Sequence, residues 1–510
     1  MTRSQATDQA WRKDPEAAFA EAQRRIADCA KAGGEALYLG DLPLDRLPGE
    51  ISALSGLRQL RMYGGSISDF APLSPLGALE LLEIGSLNCA FPGLGFMDGW
   101  SALTSLGIIA PTAIDLAPLA ACTGLARLRI WSTKEKVDLV HLDTLKELPA
   151  LESLSLWGMQ SDRFDMIGRW TRLGFIQLID SNLGSLDGSE TLESLETLSV
   201  RGAPVADLAP LAGLKGLREL DVGATRVRDL SPLARLARLE SLVIAATPVA
   251  DLGPLADLAG LQEETGRALR VERPFLHRTG LSHLDISGSG VKSLEPLARV
   301  GTLQRLELRD TAVTSLAPLH RLGALRSLDI ATSRVVDLGP QGALSGLQIL
   351  NAAQTPLESL AALYPARSLM SLNIGGTRVS DLAPLRLAHE CRTLSLRGSQ
   401  VADLRPIVEA GLHPADHRYP QEALDFRDTP AARAGPRFAE LAALADESPS
   451  PCFFETRASL REQTGWTARA KTVSQGGTQD GPRRPSRTAQ RLANVSLVVI
   501  CLAVLYLVFG

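Results

Sequence analysis

The stretch Leu195–Leu255, LETLSVRGAPVADLAPLAGLKGLRELDVGATRVRDLSPLARLARLESLVIAATPVADLGPL, decides the fold. One pattern recurs in it every 22 residues. A leucine is followed by two variable residues, a second leucine, one variable residue and an apolar residue. A turn centred on Thr or Ala follows, and then Val-x-Asp-Leu-x-Pro-Leu. Self-similarity at this period is the mark of a solenoid.

The register extends in both directions. Its leading residues are Leu57, Leu79, Leu103, Leu125, Leu151, Leu173, Leu195, Leu217, Leu239, Leu281, Leu303, Leu325, Leu347, Leu369 and Cys391. Most steps are 22 residues, but those from Leu79 to Leu103 and from Leu125 to Leu151 are longer. The span from Leu239 to Leu281 is two repeats short by two residues, with a degenerate copy expected around Leu261. A weaker first copy begins near Gly34, with Leu37 and Leu39 in place.

In Leu217–Val222 the apolar residues stand at the first, fourth and sixth places. The fourth and sixth share one face of a short strand, and the fifth and seventh face the other way. Asp229 is placed to cap a short helical turn before Pro232 and Leu233 return the chain to the core. One unit cannot bury its apolar side alone, whereas stacked units form a continuous core behind a parallel sheet. About sixteen strands at ~4.8 Å spacing predict a sheet roughly 75 Å along its concave edge.

With this pattern the chain resembles the leucine-rich repeat proteins of the 22-residue class, which have an Asp-Leu-x-Pro-Leu return. Bacterial internalins and a eukaryotic phosphatase regulator belong to that class. The resemblance covers about residues 34–411 and implies an α/β solenoid, with a curved parallel sheet on the concave side and short helices or turns on the convex side. The family usually places Asn at the ninth position, where its amide bonds neighbouring backbones. Here that position holds Thr133, Thr225, Thr247, Thr311, Thr355 and Thr377, or Ser181, Ser289, Ser333 and Ser399. A ladder of hydroxyls is expected to satisfy the turn with fewer bonding groups.

A solenoid escapes the size limit of a single core, which 510 residues would exceed. The formal charge of −4 implies neither a nucleic-acid binder nor an acidic tail. The six cysteines are scattered, so no disulfide framework is expected. Cys391, in a leucine's place, reads as a small buried hydrophobe. Met1–Asp14 is polar and does not read as a secretory signal. Residues 1–33 read as an N-terminal helical cap, with Phe19, Ala22, Ile26 and Cys29 at helical spacing before Gly33 and Gly34. Insertions near Cys89–Trp100 and Lys134–Thr144 are expected as loops on the rim. The charged segment Glu263–Thr279 reads either as a decayed repeat bulging into solvent or as a docking loop. Residues 412–466 are assigned to a C-terminal cap region and 467–491 to a basic flexible linker.

The chain closes with LANVSLVVICLAVLYLVFG, Leu492–Gly510, 19 residues without a charge. A helix of that length rises ~28 Å, close to the ~30 Å core of a bilayer, which predicts a transmembrane helix. Arg483, Arg484, Arg487 and Arg491 precede it, and positive flanks stay cytoplasmic. The expectation is a tail anchor with the repeats on the cytoplasmic side.

No phosphate-binding loop, zinc spacing or nucleophile constellation occurs. His413 and His417, in HPADH, are broken up by prolines, and Cys452 lacks the acidic neighbour that repeat-linked ubiquitin ligases use. No catalysis, cofactor, metal or small-molecule substrate is implied. The informative residues are those projecting from the concave sheet. Tyr63, Ile109, Trp131, Trp157 and Ile179 stand at the seventh place, and Phe175 at a third place. Trp131 and Trp157 are equivalent in adjacent repeats, so their rings are expected side by side. Either these rings pack on one another and under rim loops, or they form a docking patch for a protein partner. An exported internalin-like adhesin or surface receptor is the alternative reading of the whole chain.

Overall fold

Each 22-residue unit contributes one strand, because its fourth and sixth side chains have the same place to go. From Leu60 to Leu394 at the fourth place, and from Met62 to Leu396 at the sixth, these residues are buried in one continuous core. In the computed structural model of this protein, the described residues are 14–410, apart from 41, 64, 86–90, 134–135 and 260–279, together with 423–435.

Among the described residues, seventeen strands form one sheet, each pairing parallel with the next in register. Short 3₁₀ turns such as Ser231–Arg235 and Ala317–Arg321 run along the opposite side. This is the expected leucine-rich repeat solenoid. The thirteenth-place aspartates act as expected. Asp207, Asp229 and Asp381 each accept from the backbone N–H two residues on, at 2.8 Å. The helix Pro15–Lys31, capped by Asp14, lies against the first strand and buries Ala18, Ala22, Ile26 and Cys29. Phe19, expected on the buried face, is half-buried beneath the guanidinium of Arg46 at 4.3 Å. Cys391 is likewise half-buried.

Four expectations change. Across the expected degenerate repeat, Ser241–Val243 pairs directly with His283–Asp285, and Leu261 itself lies outside the described residues. The ladder closes across the fault, with Ile244 N–H bonding Asp285 O at 2.8 Å. Residues 253–259 are helical there, and the rest of the charged segment lies outside the described residues. The insertion near Cys89–Trp100 packs its described apolar residues against the core. Phe91, Leu94, Met97 and Trp100 are buried, and Phe96 meets Phe70 at 5.5 Å and Trp100 at 5.6 Å. The insertion at Lys134–Thr144 builds Val137–Val140, the middle strand of a second, three-stranded sheet with Ile114–Asp115 and Met159–Gln160. The repeat register also continues beyond 411. Ala423–Asp425 pairs with Thr393–Ser395, and Leu424, Phe426 and Thr429 occupy the fourth, sixth and ninth places.

The ninth-place hydroxyls do not reach the neighbouring repeat. Thr225, Thr247, Thr311, Thr355 and Thr377 donate to the sixth-place carbonyl of their own repeat, at 2.6–2.8 Å. Each of these hydroxyls is taken up by a carbonyl of its own turn. Thr133, in the irregular region, is exposed. Replacing Thr225 by Val keeps its shape but strands the Val222 carbonyl. That variant should lose about 1–2 kcal/mol in urea unfolding; an unchanged midpoint would count against the hydroxyl's role.

Inter-repeat bonding at the turn falls to the backbone instead. Ala224 N–H bonds Ala245 O at 2.7 Å, and Gln354 N–H bonds Gly375 O at 2.7 Å. To aim this N–H, the eighth residue adopts a left-handed conformation, whether it is Gly202 (φ 74°), Ala224 (φ 55°), Ala246 (φ 55°) or Thr332 (φ 58°). For an L-residue this is unfavourable. Ala224 and Ala246 are exposed, so Ala224→Gly and Ala246→Gly remove the strain without removing packing. Each should raise thermal stability by about 0.5–1 kcal/mol.

Candidate functional site

The face of the sheet opposite the core carries the third, fifth and seventh places. Its two ends are built differently. In the later repeats the fifth place is often Asp or Asn, and that side chain takes the seventh-place N–H. Gly223 N–H bonds Asp221 at 2.8 Å, Ala331 N–H bonds Asp329 at 3.1 Å and Gly375 N–H bonds Asn373 at 3.0 Å. The strands there stop at the fifth place, as in Glu219–Asp221 and Ser327–Asp329.

In the earlier repeats Gly107, Arg129, Ser155 and Gln177 hold the fifth place. Pairing then runs on through the seventh place, so Ser105–Ala110, Arg127–Ser132, Ser153–Trp157 and Phe175–Ile179 are longer strands. The change comes at Phe175–Ile179, which pairs over five residues with the strand before it and over three with the strand after it.

This extended ladder aligns the expected patch. Ile109 is registered with Trp131, Trp131 with Trp157, and Trp157 with Ile179. All four side chains are half-buried on the open face. The large ones lean onto small neighbours. The Ile109 side chain crowds the Cα of Gly85, and the Trp131 ring edge (Cζ3) is 3.7 Å from where a Cβ on Gly107 would stand. Trp157 donates from Nε1 to Ser155 Oγ at 3.0 Å, and Ser155 donates to Gln177 Oε1 at 3.0 Å. The two tryptophans are therefore neighbours in register, one tilted over the preceding strand and one tied to its own.

Tyr63 and Phe175 lie at the margins. Tyr63 is separated from Ile109 by Gly85, and its hydroxyl donates to the Glu83 carboxylate. Burial, then Glu83, pushes its phenol pKa up. Phe175 sits at the far end of the strand that carries Ile179. Sequence reading passed over Tyr38, 52% exposed beside Tyr63 across Gly40, and Arg127 and Arg129, which share a strand with Trp131. The third- and fifth-place periodicity was the signal that marks these two arginines.

The later part of the face is acidic and internally satisfied. Arg309 meets Asp329 at 2.6 Å, and Asn351 donates to the same carboxylate at 3.0 Å. His283 and Arg305 hold the Glu307 carboxyl down at about 2, with Arg305 at 2.8 Å. Burial raises Asp221 despite Arg201 at 3.5 Å. Cys122 is buried in the core, which pushes its thiol up to about 11. Among the described residues, no group of three His, Cys, Asp or Glu side chains is placed to hold a metal ion. Among them, too, no helix is long and apolar enough to cross a membrane. His413, His417, Cys452, Arg483, Arg484, Arg487, Arg491 and the segment Leu492–Gly510 lie outside the described residues.

No protein-family profile matches the chain, and no curated protein matches it significantly. Solved structures do. A leucine-rich repeat protein of Leptospira interrogans is 16% identical with a TM-score of 0.51, covering 72% of this chain and 97% of its own. A Listeria monocytogenes internalin, InlF, is 20% identical with a TM-score of 0.40, covering 79% of this chain and 94% of its own. The plant peptide hormone receptor RGFR1, solved with RGF2, is 15% identical with a TM-score of 0.50, covering 74% of this chain and 60% of its own. At these identities the likeness is one of fold.

Proposed function

We propose that this leucine-rich repeat chain is a non-catalytic scaffold that docks a protein partner on the N-terminal third of its concave face. The observation that carries this reading is the registered row Ile109–Trp131–Trp157–Ile179, four large apolar side chains left half-exposed on a rigid sheet. Wet apolar surface of this kind is costly, and tryptophan is a frequent anchor at protein interfaces. The plant receptor of the same fold holds a peptide. The decisive experiment is capture by the double variant Trp131→Ala/Trp157→Ala.

The second half of the proposal is a membrane tether. Its support is the sequence Leu492–Gly510, uncharged and long enough to span, behind the arginines 483, 484, 487 and 491. On this reading the repeats are cytoplasmic. Protease added from the cytoplasmic side of intact membranes should digest them, and protection of the repeats would overturn the topology.

A further inference from the structure

The charge on the docking face is distributed unevenly. Six arginines occupy fifth or seventh places on the sheet. Five of them meet a carboxylate: Arg61 with Glu83 at 3.1 Å, Arg201 with Asp221 at 3.5 Å, Arg309 with Asp329 at 2.6 Å, Arg397 with Asp428 at 3.1 Å, and Arg427 with Asp425 at 2.7 Å. Arg129 is the sixth, and among the described residues its guanidinium has no hydrogen-bond or ion-pair partner. It is half-buried all the same.

Its surroundings explain the lack of a partner. Arg129 is registered between Gly107 and Ser155, neither of which carries charge. Arg127, on the same strand and face, lies between Ser105 and Ser153 and also has no carboxylate among the described residues. From Ala36–Tyr38 through Phe175–Ile179 the only carboxylate at a third, fifth or seventh place is Glu83, already engaged by Arg61 and Tyr63. The result is a stretch of small side chains carrying two guanidinium groups that meet no carboxylate among the described residues, with Trp131 on the same strand and Trp157 on the next.

We infer that this stretch of the face selects an acidic peptide segment, in which one carboxylate side chain stands two residues from a large apolar side chain. The inference rests on the docking reading above and names the chemistry of its partner. A guanidinium presents a planar fork that a carboxylate fills with two hydrogen bonds. Arg129 and Trp131 are two residues apart on one strand, ~6.6 Å along it. An extended peptide repeats its side chains on one face at the same spacing, so its carboxylate reaches Arg129 while its apolar neighbour packs on the indoles.

The test uses the full chain in detergent and an array of fluorescent ten-residue peptides. These carry Glu-x-Phe or Phe-x-Glu, each beside its Gln counterpart. The acidic peptides should bind at least about tenfold more tightly than the amide ones, as expected for a hydrogen bond to charge. Arg129→Gln should erase that preference, and Arg129→Lys should restore part of it. The preference should also shrink as salt is raised. Equal binding of Glu and Gln peptides, or an Arg129→Gln variant that still prefers Glu, overturns the acidic selectivity while leaving the docking face standing. Binding of all peptides that survives Trp131→Ala/Trp157→Ala places the failure in the docking reading. Binding of anionic lipid vesicles or of RNA with no peptide binding also overturns the inference.

Discussion

Trp131→Ala/Trp157→Ala is expected to weaken capture of the protein partner by at least about thirtyfold and to leave the circular dichroism spectrum unchanged. Truncating a buried interface tryptophan typically costs ~2 kcal/mol or more, which is about thirtyfold in affinity. The fold should not suffer, because these side chains are on the far side of the sheet from the core. Beneath them Leu128, Ile130, Leu154 and Leu156 are completely buried and remain in place. The hydrogen bond from Trp157 to Ser155 lies on the open face, where water replaces it. Proximity labelling with the intact protein supplies the partner, and titration calorimetry measures the affinity. Capture as strong as that of the parent protein would remove the docking face from consideration.

The second large effect is expected in the core. Leu242 is fully buried at the fourth place, stacked in register between Leu220 and Leu284. Leu242→Ala should cost ~3–5 kcal/mol, because a stacked sheet held by backbone ladders on both sides collapses little around the cavity. Leu242→Met, which conserves volume, should cost less than about 1.5 kcal/mol. The position is informative because Leu242 faces the one junction at which registered strands are 42 rather than about 22 residues apart among the repeats on either side, Leu242 pairing with Leu284. In a solenoid each repeat touches only its neighbours, so a weak junction divides the array. Urea unfolding of Leu242→Ala is therefore expected to broaden or split into two transitions. A loss below 1 kcal/mol with a single sharp transition would mean that this junction is not part of the continuous core.

Much of this molecule was legible because its spacing is regular. The leucines at the first and fourth places, the apolar residues at the sixth and the aspartates at the thirteenth all stand where their places in the repeat predict. The row Ile109–Trp131–Trp157–Ile179 was legible for the same reason, since equal places in adjacent repeats become registered neighbours. Departures from the period were not. The role of the ninth-place hydroxyl depended on which carbonyl the turn brings to it, which residue type alone does not give. The left-handed eighth residue was invisible because alanine and threonine do not advertise that conformation.

What the amino-acid order settled by itself is the solenoid, its core and the face on which large apolar residues stand. Periodic burial is a local property, and a strand's alternation follows from its own residues. What only the tertiary structure decided is which segments join the sheet and which charges meet. Ser241–Val243 and His283–Asp285 are neighbours in the sheet despite the long segment between them because they satisfy each other's backbone groups directly. The insertion at Lys134–Thr144 becomes a strand because two neighbouring repeats offer it partners. Arg129 has no charged partner among the described residues because Gly107 and Ser155, each a full repeat away in sequence, are brought beside it without a charge to offer. Pairing depends on through-space neighbours, and those exist only once the repeats have stacked.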